Sequence, residues 1–417
     1  MPDDPRIMNV RFAPIAPVLL GVVSAQIALG IMTPLIPLML LRQATPTGVI
    51  GVVASAYFVG FLLGALSADR IVTRVGHIRA FAVFAALAAD AALLMALTSN
   101  PWVWALLRAL IGFVMSGLFL VAESWLNDRA DKTTRGRVFG AYLVASWGGS
   151  AIGPLALNFV DGSGWLFVWA AIAFSTALLP MALTQQANPQ IGPRIRFSLA
   201  HLLRVSPLGV VVCVTSGLAN SAFYALAPVY LERLGFMAGG VSVFVSAAMV
   251  AGLLVQYPIG MISDRLGRRP VTLAVLFLAL AFALVLGLSG QAPLAVLIGF
   301  GTLYAGMTAP LYGLGAGQTN DYIAPDQFVA ASGGLLFAWS LGASIGPTVA
   351  ATVMTWLGPS GLFVYLVAAL GSVGLFTAAR MRLRAAVPIA QQSNFVPAPA
   401  APAGLPELDP RSDPAVE

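Results

Sequence analysis

The sequence predicts an all-α membrane protein, with twelve transmembrane helices arranged as two pseudo-symmetric six-helix bundles. Three observations carry this reading. Long apolar blocks fill most of the chain, its cationic residues sit between them with a one-sided bias, and the second half repeats landmarks of the first. Of 417 residues, 59% are apolar and only 9% charged, against about 25% charged in a soluble domain. Apolar runs of roughly 18 residues or more match a hydrocarbon core about 30 Å thick. Helices are expected rather than strands, because each block spans as a single run and satisfies its own backbone hydrogen bonds.

In order, the blocks fall at 15–41, 48–68, 80–98, 101–126, 138–160 and 164–183, then at 207–231, 241–262, 270–288, 293–318, 328–357 and 361–379. The segment before the first block, 1–11, is polar and lacks the small-residue cleavage site of a signal peptide, so the first block is expected to stay as a helix. Of the 22 Lys and Arg residues, two (Arg42 and Arg233) fall on one side, Arg108 falls within a span, and the others lie on the opposite side. The positive-inside rule then places both termini in the cytoplasm. The chain divides into a first bundle (1–183), a polar cytoplasmic linker (184–206), a second bundle (207–384) and a Pro/Ala-rich tail (385–417). That tail cannot build a core of its own and is expected to be disordered.

The halves repeat at an offset near 191. Pro37 and Arg42 close the first span as Pro228 and Arg233 close the seventh, and Gly76 after span two matches Gly267 after span eight. Further on, the run Gly149-Ser-Ala-Ile-Gly-Pro154 matches Gly342-Ala-Ser-Ile-Gly-Pro347. A parallel repeat of this kind places a binding site between the halves near the midplane.

Several classes of activity are disfavoured. The net charge of +6 is not interleaved with aromatic residues as a nucleic-acid surface requires, so no nucleic acid is expected. Cys213 is the single cysteine and lies in an apolar block, so no intrachain disulfide forms. No paired catalytic carboxylates, Cys/His metal constellation or phosphate-cradling loop stands in the sequence. Neither an enzyme, a metal nor an organic cofactor is expected.

The run Gly260-Met-Ile-Ser-Asp264-Arg265-Leu-Gly267-Arg268-Arg269 leaves span eight on the basic side. Gly267 permits a tight reversal, Asp264 can pair with the arginines or a helix N-terminus, and the arginines stay at the inner surface. This run resembles the hallmark loop of the major facilitator superfamily, where it braces one conformation of two rocking halves. The first-half copy departs from the pattern: Thr73 stands where the acid belongs, and His77 replaces a basic residue. Gly140, Gly149, Gly153 and Pro154 in span five resemble the superfamily's antiporter motif, although position 157 is Leu rather than glycine. Small residues there allow close helix approach, and the alternative reading is generic packing of that kind. Val121-Ala-Glu-Ser-Trp125 and Gln256-Tyr-Pro-Ile-Gly260 resemble the YcaD-like bacterial branch.

Arg108, with Gly112 four residues on, resembles the superfamily's fourth-helix motif linked to proton coupling. An arginine roughly 10 Å into a helix is costly unless paired or hydrated. Asp90, at comparable depth in span three, is the expected counter-ion; backbone carbonyls or snorkelling are the alternatives. Glu123 is the leading candidate for a proton-carrying acid, since a carboxyl at low dielectric can load and release protons near neutral pH. It could equally be a structural acid bonded to Arg129 or to backbone. Other intramembrane polar and aromatic residues lie on spans that line the central cavity in this superfamily: Gln26, Tyr57, Trp147, Asn158, Asn220, Tyr224, Gln256, Tyr304, Tyr312 and Trp339. Each could also be interhelical glue. Together they imply a wall of aromatics and amides suited to an amphiphilic or weakly charged substrate.

The resemblance implies a secondary active transporter in a bacterial inner membrane, a monomer working by alternating access and driven by the proton gradient. The antiporter-like span favours a proton-coupled exporter of a small organic molecule. Proton-coupled import of a small metabolite, or a membrane sensor that transports nothing, are the alternatives.

Overall fold

The computed structural model describes residues 15–130, 134–159, 164–184, 199–324, 327–383 and 387–399. Among these, twelve helical segments are long and apolar enough to cross a membrane. The first bundle comprises α1 (Ala16–Arg42), α2 (Thr47–Val75), α3 (His77–Leu97), α4 (Pro101–Arg129), α5 (Arg135–Ile152) and α6 (Trp165–Ala182). A short helix, α7 (Leu199–Val205), precedes the second bundle: α8 (Pro207–Arg233), α9 (Ala238–Leu266), α10 (Arg268–Leu288), α11 (Leu294–Thr308), α12 (Leu311–Asn320), α13 (Phe328–Leu357) and α14 (Gly361–Leu383). The expected linker is thus helical over its last part, while 185–198 lie outside the described residues.

Helix ends have local causes. At the start of α4 the Asn100 side chain accepts from the Trp102 and Val103 backbone N–H groups, and Pro101 occupies a position whose donor would be orphaned anyway. α2 stops at Gly76 (φ 86°) and α9 at Gly267 (φ 90°), a left-handed turn open to glycine. α2 runs seven residues beyond the expected 48–68 and carries Asp69 and Arg70 as helix. The tenth span is broken at Ala309–Pro310, since Pro310 cannot donate a helical hydrogen bond. Asn220 Nδ2 takes up the Thr308 carbonyl at the break, 3.3 Å away.

The internal repeat is built into the packing as well as the sequence. Gly149 of α5 and Gly153 just beyond it lie against the backbone carbonyls of Val23 and Ile27 on α1, and Gly342 and Gly346 of α13 lie against those of Val214 and Leu218 on α8. The equivalent turns after α1 and α8 both adopt positive φ, at Ala44 (56°) and Gly235 (89°). One difference separates the copies: the first turns into a 3-10 helix at Gly153–Asn158, whereas α13 continues through Pro347. Large apolar side chains such as Leu20, Leu63, Leu106 and Phe277 point outward, as a surface bathed in lipid tails requires.

The end of the molecule carrying Arg129, Arg265 and Arg268 is the basic end. At the opposite end the halves are joined directly. Arg42 Nε bonds Glu232 Oε1 at 3.0 Å, Arg233 donates to Thr47, Thr348 donates to Ser55 Oγ, and Asn158 Nδ2 donates to Ser242 Oγ at 2.7 Å. Gly51 there sits so close to α13 that a Cβ would fall 2.4 Å from that of Ala351. Opposite-end closure therefore depends on a glycine.

The expectation of a disordered tail is corrected over 387–399; residues 384–386 and 400–417 lie outside the described residues. The segment enters the basic end between the halves. Asp264 accepts the Phe395 N–H with both carboxylate oxygens, at 2.9 and 3.1 Å, and Asp321 Oδ1 accepts from Ser393 N and Oγ. Deeper in, Gln256 Oε1 accepts the Ala398 N–H at 2.8 Å, while Trp147 Nε1 of the first bundle donates to the Ala398 carbonyl at 3.0 Å. A chain unable to form its own core is ordered here by a crevice built by other elements.

Candidate functional site

Between the bundles lies a cavity of about 150 Å³, lined from both halves. That is many times the roughly 10–15 Å³ a single water needs, room for several waters to hydrate a charge at membrane depth. Gln26, Tyr57, Trp147, Asn220, Tyr224, Tyr312 and Trp339 line it, together with Arg108. So do Thr33, Phe58, Ser150, Ser216 and Met249, with Ala398 and Pro399 of the tail. Sequence reasoning missed these, because a Thr, Ser or Met within an apolar helix carries no mark of the direction it faces. Among the described residues, no acidic side chain lines the cavity.

Rigid polar contacts hold the walls. Gln26 on α1 donates to Ser146 Oγ at 2.7 Å and accepts from Ser150 Oγ at 3.2 Å, tying α1 to α5 where Gly149 and Gly153 already bring the two backbones together. Asn220 donates to Ser216 Oγ as well as to Thr308, and the Tyr224 hydroxyl reaches the Ala248 carbonyl at 3.4 Å. Trp339 meets Phe58 and Phe61 edge-on across the two bundles.

Three expected cavity residues lie elsewhere. Gln256 is buried against Gly252 and the tail. Tyr304 packs on Phe223, 4.7 Å between ring centroids. Asn158 closes the opposite end through Ser242. Of the antiporter-like residues, Gly149, Gly153 and Pro154 touch α1, whereas a Cβ at Gly140 would meet nothing within 4 Å.

The charged candidates separate. The Arg108 guanidinium stacks over the Tyr57 ring, 4.5 Å from its centroid. Asp90 is exposed on α3, and its expected pairing with Arg108 is corrected. The two residues share a depth along their helices, but Asp90 faces outward while Arg108 faces the cavity. Glu123 is buried on α4 and accepts from the Tyr142 hydroxyl of α5 at 3.0 Å. It is not among the cavity-lining residues. In the hallmark loop, Arg268 forms a buried ion pair with Asp321 at 2.7 Å, with Asp264 further off at 3.9 Å; Arg269 bonds the Tyr322 hydroxyl. Arg268 also donates to the Ser393 carbonyl. The phenyl ring of Phe395 packs against Gly260 along one edge and Gly313 along the other, at positions where any Cβ would collide. In the first half, Thr73 turns its hydroxyl back to the Asp69 and Arg70 carbonyls, and His77 bonds Ser124 Oγ at 3.0 Å.

Residues 18–253 and 238–412 match the Major Facilitator Superfamily. The chain belongs to that superfamily. Its relatives include an uncharacterized MFS-type transporter of Enterobacter sp. (strain 638), 28% identical over 86% of this chain and 94% of the relative. The uncharacterized MFS-type transporter YcaD of Escherichia fergusonii is 26% identical with the same coverage of each. Among solved structures, a point mutant of the nucleoside transporter NupG superposes with a TM-score of 0.76 at 14% identity, covering 88% of this chain and 99% of that one. A bacterial homolog of the human lysosomal transporter Spinster, inward-facing and unoccupied, gives 0.72 at 13% identity over 94% and 100%. At such identities the likeness is one of fold. The protein is therefore a multi-pass MFS-type transporter of the YcaD-like branch, and not an enzyme.

Proposed function

We propose that this transporter is a proton-driven antiporter that exports a small amphiphilic organic molecule by alternating access, with its basic end and both termini in the cytoplasm. The observation that carries the reading is the asymmetry of closure. The halves are bonded directly at the opposite end, while towards the basic end the tail bonds both halves and forms part of the cavity wall. With the basic end cytoplasmic, this is an inward-facing arrangement. The complementary state requires the Arg42–Glu232 and Ser55–Thr348 contacts to part and the basic ends to meet. The close approach of α1 to α5 at Gly149 and Gly153, shared with the superfamily's antiporter motif, supports export.

Glu123 and Tyr142 supply the proton site. The carboxyl is buried between α4 and α5, so taking up a proton removes a charge from an apolar environment. A proton shifts the balance of two states only through a difference in affinity between them. The bond from α5 to a carboxylate on α4 provides such a difference if the two helices adjust during rocking.

The decisive experiment uses everted vesicles with a panel of fluorescent amphiphiles supplied outside. Wild-type protein is expected to take up at least one compound only when the lumen is acidified, and to lose that uptake when the pH gradient is collapsed. Glu123→Gln should reduce gradient-driven uptake to background while leaving gradient-independent exchange intact. Equal gradient-driven uptake by the variant would end the proton-site assignment. Uptake only under the reverse gradient would end the export assignment.

A further inference from the structure

Among the described residues, Arg108 is the one cation lining the cavity. Only 9% of its surface is exposed, and its Nε and Nη1 donate to no acceptor. Tyr57 offers the face of a ring beneath the guanidinium, which attracts the charge but accepts none of its hydrogen bonds. No described acid lines the cavity, Asp90 faces away, and Glu123 lies fifteen residues further along α4, about 22 Å at the helical rise. A guanidinium held at membrane depth with donors to spare is an incomplete site. Its planar fork matches carboxylates and related oxyanions.

The surrounding wall defines the rest of the ligand. Tyr57, Phe58, Trp147, Tyr224, Tyr312 and Trp339 present rings, which pack against an apolar or aromatic body. Extending the transport reading above, on which this inference rests, we propose that the cargo is an amphiphilic organic monoanion whose acid group docks on Arg108.

The test uses Trp fluorescence, since Trp147 and Trp339 stand in the wall, with matched pairs of aryl and alkyl carboxylates and their carboxamides on purified full-length protein. At least one acid is expected to bind at least about tenfold more tightly than its amide. Arg108→Gln should abolish that preference, leaving acid and amide equal, and Arg108→Lys should retain part of it. Absence of any acid preference in the wild type, or an unchanged preference in Arg108→Gln, would overturn the proposal. Arg108-dependent binding without transport of that ligand in vesicles would instead count against the transport reading alone.

A separate observation concerns the tail. Its contacts reach both bundles: Trp147 in the first, and Gln256, Asp264, Gly313 and Asp321 in the second. Its Ala398 and Pro399 form part of the cavity wall. A peptide wedged there occupies the space into which the basic ends must move. We infer that 387–399 is an intramolecular wedge that holds the state with the opposite end sealed and must withdraw before the halves can rock. The Phe395 ring on Gly260 and Gly313 is its anchor.

Spin labels at Arg137→Cys on α5 and Leu266→Cys on α9, in a Cys213→Ala background, report the separation of the basic ends. Full-length protein is expected to give one long distance. Removing 387–417, or the milder Phe395→Ala, should add a shorter population. Identical distance distributions in all three proteins would overturn the wedge. So would rapid maleimide labelling of Val396→Cys in otherwise intact protein.

Discussion

Replacing Asp321 with alanine is expected to lower the unfolding free energy by about 3–5 kcal/mol, the usual consequence of orphaning one member of a buried ion pair. Arg268 and Asp321 are each 1% exposed and meet at 2.7 Å. The pair lies where α12 ends and α10 begins, so it fixes two helix termini that are not neighbours along the chain. Removing the carboxylate leaves the guanidinium buried without its main partner, and Gly317, pressed against that guanidinium, leaves little room for it to swing towards water. Asp321 also receives Ser393, so part of the loss comes from releasing the tail. Repeating the substitution in a protein truncated before 387 separates the two contributions. The check is a thermal melt in detergent, with a fall of several degrees expected in both backgrounds. Arg268→Met combined with Asp321→Leu should recover most of the loss, because an apolar pair of similar volume avoids the desolvation penalty. A melt unchanged by Asp321→Ala would mean that the hallmark loop is not held by this pair.

Much of this architecture was legible in the sequence, for a clear physical reason. A bilayer demands runs of a set length, so spans are visible from composition alone, and the repeat then assigns them to halves. Pro37 with Pro228 and Gly76 with Gly267 were landmarks because each performs a backbone task that few other residues can. The cavity was also partly legible. Amides, and the polar tips of Tyr and Trp, are costly against the apolar middle of a bilayer, and Gln26, Tyr57, Trp147, Asn220, Tyr224, Tyr312 and Trp339 turn inward to the cavity wall. Gln256, Tyr304 and Asn158 avoid lipid equally well by bonding or packing within the protein, and the residue type does not distinguish the two solutions.

Orientation about the helix axis was not legible. In a soluble helix the water-facing side is polar, and the sequence records the rotation. Here lipid and protein interior are equally apolar, so nothing in α3 indicates that Asp90 points away from α4. Depth along an axis can be counted in residues; azimuth cannot. The tail failed for a different reason. Its composition correctly excludes an autonomous core, but a segment with free backbone N–H groups can be ordered by acceptors elsewhere. Asp264, Asp321 and Gln256 are separated from it by 72 to 142 residues, and no local pattern encodes such a pairing.

Gly112→Ala should destabilise the protein by about 3 kcal/mol, at the upper end of what over-packing by one carbon costs, and Gly112→Leu should give no folded protein. A Cβ at Gly112 would lie 1.9 Å from the Tyr57 carbonyl oxygen, and one at Gly60 only 1.8 Å from that of Ala109. The obstructing atoms are backbone, which cannot turn aside as the end of a side chain can, so α2 and α4 would have to separate along their length. Gly140→Ala and Gly148→Ala are the matched controls, since a Cβ at either meets nothing within 4 Å, and both should melt with the wild type. The substitution also reaches the cavity. Gly112 stands one helical turn beyond Arg108 and presses on the very residue, Tyr57, whose ring lies beneath the guanidinium. The Arg108–Gly112 spacing is therefore one device: the glycine admits α2 closely enough for Tyr57 to support the arginine. Gly112→Ala protein that still folds should accordingly lose the acid-over-amide preference along with stability. A variant that melts early yet keeps that preference in full would separate the two residues and leave Gly112 a packing position only.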